Sequence, residues 1–453
     1  MGGRWDATTV LSLFVLLLLL IPSQLVIGPL GGAGSPAQLL GVGMLGWRVV
    51  EGIRRPAPRE AGSALQSLTV LIFLGAVLAS YIAGAARQIS DDELRSMQMG
   101  VVSVCAWLGV VFVCSDGVRT RTQLDRLLSL LTLTAGAIAV LGILQFLTGE
   151  SFVDKISLPG LTINHSIGGI DQREGFQRPS GTAVHPLEFG AVLTMVLPIA
   201  LHYAFHSTHQ SVIRRWWPAV AIAVVVPISI SRSAIVCTAV VLAFLMPTWS
   251  KAVRVRAIVA IAGLAAALYL VVPGLLGTFL GLFTTVGSDS SAQSRTGSYP
   301  LAWDFIEKAP IFGRGFLTFL PRYRILDNQY LGSLIDIGFV GVASLLAVFV
   351  TAIVVGLRIR RAVSDPVTRS LSVALSAAVA AGATSFAMFD AFSFPMAASM
   401  LFLLVGCIGA LRGLYRRGQT EPAAGPTSAS DAAERVTRNP TEDAVGTVRP
   451  SST

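Results

Sequence analysis

Long apolar runs recur along the chain from near its start to about position 415, separated by short polar stretches. They fall near 8–27, 35–50, 65–84, 98–115, 126–148, 187–206, 217–231, 233–248, 257–275, 331–356, 370–389 and 395–415. A helix needs about 20 apolar residues to cross the hydrocarbon of a bilayer, and these runs approach or reach that length. Backbone groups in lipid must be satisfied internally, which leaves helices or closed barrels, and runs this long predict helices. The pattern therefore predicts an all-α fold, a polytopic transmembrane bundle of about twelve helices. The first run, Thr8 to Ile27, contains LSLFVLLLLLIP and has the look of a signal peptide. It lacks a small-residue cleavage pattern followed by a soluble domain, so it is read as the first helix.

The polar stretches between the runs alternate in charge. Arg54, Arg55 and Arg59 lie between the second and third runs, and Arg119, Arg121 and Arg126 around the start of the fifth. Arg214 and Arg215 follow the sixth, Lys251, Arg254 and Arg256 the eighth, and Arg358, Arg360 and Arg361 the tenth; Arg412, Arg416 and Arg417 close the twelfth. Between them come an uncharged turn around Gly28 to Ser35 and an acidic one at Asp91, Asp92 and Glu93. Short basic loops stay in the cytoplasm, so both termini are expected inside. Residues 1–417 are expected to form the membrane domain. The tail 418–453, rich in Pro, Ala, Ser and Thr with balanced charge, is expected to be disordered in the cytoplasm.

This topology puts two long loops outside, about 149–185 and 278–330, the second between helices nine and ten. Long loops on a compact bundle commonly carry function. Within the second, LAWDFIEKA has helical spacing, with Trp303 and Ile306 on one face, and predicts an amphipathic helix on the outer interface, ended by Pro310 and the Gly313/Gly315 pair. Outer loops of such a protein should be poor in arginine, yet Arg173, Arg178, Arg232, Arg295, Arg314, Arg322 and Arg324 all map there. Guanidinium donors form a rigid fork that matches phosphate oxygens. The arginines point to an anionic, phosphate-bearing, lipid-linked substrate. The plainer alternative is that they reach headgroups or pair with Asp289, Asp304 and Glu307.

Composition agrees with the membrane class. Charged residues make up 13% and hydrophobic ones 53% of 453 residues, against about 25% charged in soluble domains. The net charge of +9 resides in the short loops and is a topology signal, so no nucleic-acid partner is expected; the lipid bilayer is. Cys105, Cys114, Cys237 and Cys407 sit inside apolar runs with no CxxC pair, so neither a disulfide framework nor a metal site is indicated. His202, His206 and His209 have metal-like helical spacing but lie at the inner end of the sixth run, where anchoring is the plainer reading. No metal and no cofactor are expected. Asp336 and Asp390 are acids in or beside apolar runs and functional candidates on that ground, Asp336 ranking first.

Three patterns carry a resemblance to a known family: RPSGTAVHPLEFG (Arg178 to Gly190), the SRS turn (Ser231 to Ser233), and the stretch from Arg295 through WDFIEKAPIFGRGF to DNQYLGSLIDIGFVG (Asp327 to Gly341). In order and spacing they resemble the O-antigen ligase / Wzy-type polysaccharide polymerase superfamily. The resemblance implies a GT-C-like helical membrane fold. It also implies metal-independent transfer of a glycan from an undecaprenyl-diphosphate-linked donor to a hydroxyl of a glycan or lipid-glycan acceptor, on the outer face of the cytoplasmic membrane. It assigns Arg178 and Arg295 to the diphosphate; Arg232, Arg314, Arg322 and Arg324 among the outer arginines, and Asn328 and Tyr330 in the last motif, are the substrate-binding candidates. Where the ligases carry a histidine proposed to activate the acceptor, this chain has Asp327, which favours a polymerase-like or divergent ligase role. Asp327 or His185, at the start of the sixth run, would act as general base. The rival readings are a transporter or flippase for a lipid-linked or anionic precursor, and an inactive scaffold in envelope assembly. Transporters place their sites near the midplane between symmetric halves, whereas the polar residues here gather in unequal outer loops.

Overall fold

Capping residues stand ahead of many of the apolar runs, and the chain uses them to start its helices. Ser90 with Glu93, and Thr120 with Gln123, form reciprocal capping boxes, which satisfy amide donors that the first helical turn leaves open. The computed structural model describes residues 6–54, 61–164, 171–173, 175–272, 274, 277 and 297–420. Its helices are α1 (Ala7–Leu20), α2 (Pro36–Arg54), α3 (Ala61–Ala85), α4 (Asp91–Gly117), α5 (Arg121–Thr148), α6 (Pro186–His206) and α7 (Val212–Ile228). They continue with α8 (Arg232–Leu245), α9 (Lys251–Val271), α10 (Tyr299–Lys308), α11 (Gln329–Ala362), α12 (Pro366–Ser385) and α13 (Pro395–Thr420). Each of the twelve apolar runs overlaps one of these helices, although the first, 8–27, leaves α1 at Leu20 and ends in a short strand at Leu25–Val26. Among the described residues α3, α4, α5, α6, α9, α11, α12 and α13 are long and apolar enough to cross a membrane, while α1 and α8 are shorter apolar helices. The protein is a polytopic helical membrane protein.

Residues Met1–Leu414 form one unit, and a second begins at Tyr415. Helix α13 runs on to Thr420, two residues beyond the expected start of the tail, and the rest of the tail lies outside the described residues.

Short hydrogen bonds sort the loops of the first unit onto two faces. On one face Gln123 Nε2 donates to Asp6, Arg48 pairs with Asp116 at 2.6 Å, Arg121 bonds Asp125 and Thr368, and Tyr203 donates to Asp125. On the other, Asn164 N donates to the Gln24 carbonyl and β1 (Leu25–Val26) pairs with β2 (Thr162–Ile163). A second ribbon on that side joins β3 (Asp171–Arg173) to β4 (Phe176–Arg178). The loops joined by these contacts fall into the two groups that the charge alternation separates.

The core sits where α4 and α13 cross the middle of the bundle. Trp107 stacks on Phe402 at 5.0 Å and on Phe392 at 4.9 Å, all of them buried. Lipid offers no hydrophobic drive for helix association, so close packing must supply it, and small residues allow the closest approach. At the α2–α4 crossing a Cβ on Gly41 would lie 2.8 Å from the Ala106 carbonyl oxygen, so the backbones touch.

Helix α11 is broken at Gly338 (φ 64°, ψ −171°), a region closed to residues with a Cβ. The break frees backbone groups that lipid cannot satisfy, and the segment after α10 satisfies them. Phe339 N donates to the Pro310 carbonyl at 2.8 Å and Val340 N to Ile311 at 3.2 Å. In return Arg314 N and Gly315 N donate to Ile335 and Asp336, each at 3.0 Å, and Ser80 Oγ adds a bond to Asp336 O at 2.6 Å. Gly313 (φ 70°) and Gly315 (φ 115°) let the segment turn into this slot. The sequence placed Trp303 and Ile306 on one face of α10. The structure corrects this: Ala302 and Ile306 are buried against Leu326 and Ile335, while Trp303 is 52% exposed. Ala302 and Ile306 are an i, i+4 pair on one stripe, which leaves Trp303 on its flank, and the small Ala302 allows the close contact that the indole cannot.

Candidate functional site

The turn after β4 is fixed from beneath by Gln145 of α5. This fully buried amide accepts from Gly181 N at 2.8 Å and donates to the Gly181 carbonyl at 3.1 Å and to Ser151 O at 2.7 Å. Gly181 has φ +58°, and an added Cβ would lie 2.5 Å from the Phe189 ring, so the Arg-Pro-Ser-Gly turn accepts no other residue there. The turn aims Arg178 inward. The residue is buried, and its Nε donates to the Ser229 carbonyl at 3.1 Å at the end of α7. Ile230 follows at φ 46°, and Ser231 caps α8 through Ala234 N at 3.4 Å while contacting Ser233 Oγ at 2.7 Å. Arg232 is the first residue of α8 and is half-buried. Two of the motifs thus meet in one place. A helix N-terminus carries positive potential, and the Arg232 guanidinium adds to it.

Next to this turn, His185 caps α6, its Nδ1 accepting from Leu187 N at 3.1 Å, with its ring 6.1 Å from Phe394. Three residues on, Glu188 is fully buried. One carboxylate oxygen accepts Val184 N at 3.0 Å and the other accepts Met396 N at 2.7 Å and Ala397 N at 3.2 Å. Glu188 therefore seats the first turn of α13 against the first turn of α6.

The same α12–α13 connection holds the DNQY motif. Asp390 accepts from Asn328 N at 3.2 Å, and the Asp327 and Leu326 amides also act on its carboxylate. Gln329 N donates to the Phe386 carbonyl at 2.8 Å, and its side chain accepts from Phe392 N at 2.7 Å. Asp327, half-buried, is held at φ 52°, an uncommon conformation for a residue with a side chain. Asn328 caps α11 by accepting Leu331 N at 3.2 Å, and Tyr330 donates to the Ala383 carbonyl at 2.7 Å. Burial, and then the Asp327 charge, hold the Asp390 carboxyl above its usual pKa against the pull of those amides. His185 and Asp327 thus flank one short connection, residues 386–397.

The remaining arginines divide. Arg314 lies over the Phe305 ring at 4.6 Å, and burial, then Arg87, lower its pKa. Arg322 is turned away, pairing with Asp92 at 2.8 Å and donating to Ser90 Oγ at 2.9 Å, which ties its loop to the start of α4. Arg324 donates to Ser298 Oγ at 2.9 Å. Arg295 and Asp289 lie outside the described residues, as does the side chain of Arg173.

Of the two acids singled out in the sequence, Asp336 anchors the loop after α10, its Oδ1 accepting Phe319 N at 3.0 Å. Asp390, ranked below it, is the acid beside Asp327. Gln145 carried no signal beyond lying in an apolar run, and Glu188, though inside the first motif, was not singled out, because their partners are backbone groups from other segments. His202 and His206 stack at 4.8 Å and bond Ser370 and a backbone carbonyl, and no three metal-binding side chains cluster among the described residues.

The geometry defines a helical membrane protein with a polar, arginine-bearing site on one face of its bundle. Residues 217–346 match the family model described as O-antigen ligase, and over this segment the likeness read from the motifs is shown. The match runs from α7 into α11 and takes in Arg232, Arg295, Arg314 and Asp327 but not Arg178 or His185. That family implies membrane glycan ligase or polymerase activity on lipid-linked glycans. Comparison with curated proteins found no match.

Proposed function

We propose that the protein transfers or polymerises a glycan carried on a lipid diphosphate, undecaprenyl diphosphate, onto an acceptor hydroxyl at the outer face of the cytoplasmic membrane. The observation that carries this reading is the Arg178–Ser229 bond, which sets one candidate diphosphate arginine against the SRS turn and Arg232. An acceptor hydroxyl of a glycan or lipid-glycan attacks the anomeric carbon of the donor sugar. The bond from that carbon to the diphosphate oxygen breaks, and the diphosphate leaves on its lipid. Arg178 and Arg295, with Arg232 and Arg314, offset the charge that grows on the leaving group. Asp327 takes the acceptor proton. His185, with Nδ1 engaged in capping α6, is the second choice. Arg322 and Arg324 serve the reaction by holding the loop, and Asn328 and Tyr330 by setting the start of α11.

In this reading residues 1–417 form a GT-C-like catalytic unit with both termini inside, and 418–453 form a cytoplasmic tail. The broken helix α11 is a feature shared with transporters, but its freed backbone groups are paired by residues 310–315 rather than left to line a cavity. The test is purified protein in vesicles supplied with a polyprenyl-diphosphate glycan and an acceptor. Arg178→Ala and Arg295→Ala should remove product while protein remains in the membrane. Product from both variants at the wild-type rate would refute the reading, and movement of intact donor across the vesicle without transfer would favour a flippase.

A further inference from the structure

Helix α9 differs from every other spanning helix. None of its apolar window is buried, against 39% or more in each of the other seven. It packs along no other described helix, and meets the bundle mainly at its outgoing end, where Leu268 and Val272 approach Ile230 and Phe176. Its half-buried positions, Val253, Ala257, Leu264, Leu268 and Val272, nevertheless fall at helical spacing on one stripe. Held at its outgoing end against Ile230 and at its foot through Trp249 on Phe205, and packed along no described helix between, α9 leaves a cleft beside the bundle that membrane lipid would fill.

The other end of the cleft carries charge. Trp216, next to Arg214 and Arg215, and Trp249, just before Lys251, both pack on Phe205 at 5.1 and 5.9 Å. The starts of α7 and α9 are thus drawn around one aromatic cluster. Arg214, Lys251, Arg254 and Arg256 are exposed there, and Arg254 is braced by bonds to the Trp249 and Pro247 carbonyls at 3.0 and 3.5 Å. Tryptophans beside a group of cations at the ends of apolar helices match an anionic headgroup with acyl chains below it.

We propose that the cleft between α9 and the bundle binds an anionic phospholipid, its phosphate held by Arg214, Arg215, Lys251 and Arg254 and its chains lying along the Val253–Ala257–Leu264 stripe. The charge of the foot selects this occupant over zwitterionic lipid, and over a second copy of the chain, whose own foot would be equally basic. The proposal is independent of the glycan chemistry and of which face is inside.

The test uses full-length protein in nanodiscs of phosphatidylcholine with a small fraction of chain-brominated lipid. The signal of Trp216 and Trp249 is isolated by subtracting that of a Trp216→Phe, Trp249→Phe variant. Brominated phosphatidylglycerol should quench it with an apparent affinity about tenfold or more above that of brominated phosphatidylcholine, as several cations near one headgroup require. Glutamine at Arg214, Arg215, Lys251 and Arg254 should remove the preference, and lysine at the three arginines should keep it. Equal quenching by the two lipids in the wild type overturns the proposal even if the glutamine variant fails to fold. So does a preference that survives charge removal, or a dimer cross-linked through α9 in phosphatidylglycerol discs.

Discussion

Asp390→Ala separates the candidate base from the scaffold that presents it. The carboxylate accepts Asn328 N at 3.2 Å and acts on the Asp327 and Leu326 amides, and Asp327 beside it is held at φ 52°. A left-handed backbone costs about 1–2 kcal/mol for a residue with a Cβ. A hydrogen bond to a charged acceptor contributes about 1.5–3 kcal/mol. The single bond therefore matches or exceeds the strain it opposes, and its loss lets residue 327 relax. A loss of about 2 kcal/mol in transition-state positioning lowers kcat roughly 30-fold. Rates in vesicles with a lipid-diphosphate glycan, taken over a range of donor and acceptor, should show that fall with donor KM unchanged. Asp390→Asn keeps an acceptor oxygen and should recover most of the rate. Asp327→Asn tolerates the left-handed backbone but cannot take a proton, so it should lose kcat without loss of stability. An Asp390→Ala enzyme with wild-type kcat refutes the positioning role, and an active Asp327→Asn refutes the base.

Other outcomes follow from the same contacts. Asp390 has a raised folded pKa, so the stability it contributes is fully present below its unfolded value and is lost as pH rises through the folded one. Thermal scans should show that part of the pH dependence vanish in Asp390→Asn. Gly338→Ala puts a Cβ into the Ile311 carbonyl at φ 64°; it should cost about 3 kcal/mol or more and lower the unfolding temperature sharply. Glu188→Ala strands the buried amides of Val184, Met396 and Ala397, a loss of about 3–5 kcal/mol, visible as protease sensitivity between α12 and α13. Arg178→Lys keeps the charge but loses the fork that bonds Ser229 O, and should lower kcat/KM for donor about tenfold or more.

The hydrophobic pattern alone determined that the chain is a helical membrane protein and where its helices lie, because lipid leaves the backbone few alternatives and the runs are long. The charge alternation separated the loops into the two groups that the structure finds on two faces, since each short loop must return the chain to the side it left. Motif residues such as Arg178 and Asp327 were visible because they are polar where the pattern expects otherwise. Contacts across the bundle were not visible. Nothing local to Gln145, Glu188 or Asp390 shows that each closes backbone amides of a distant segment, and Asp336 and Asp390 look alike in sequence although one anchors a loop and the other adjoins the candidate base. The break at Gly338 was equally hidden, because its freed groups are satisfied by residues 310–315, and only the tertiary fold brings that segment into place. The solitary position of α9 belongs to the same class. Its sequence is as apolar as its neighbours', and what it lacks, among the described residues, is a helix packed along it.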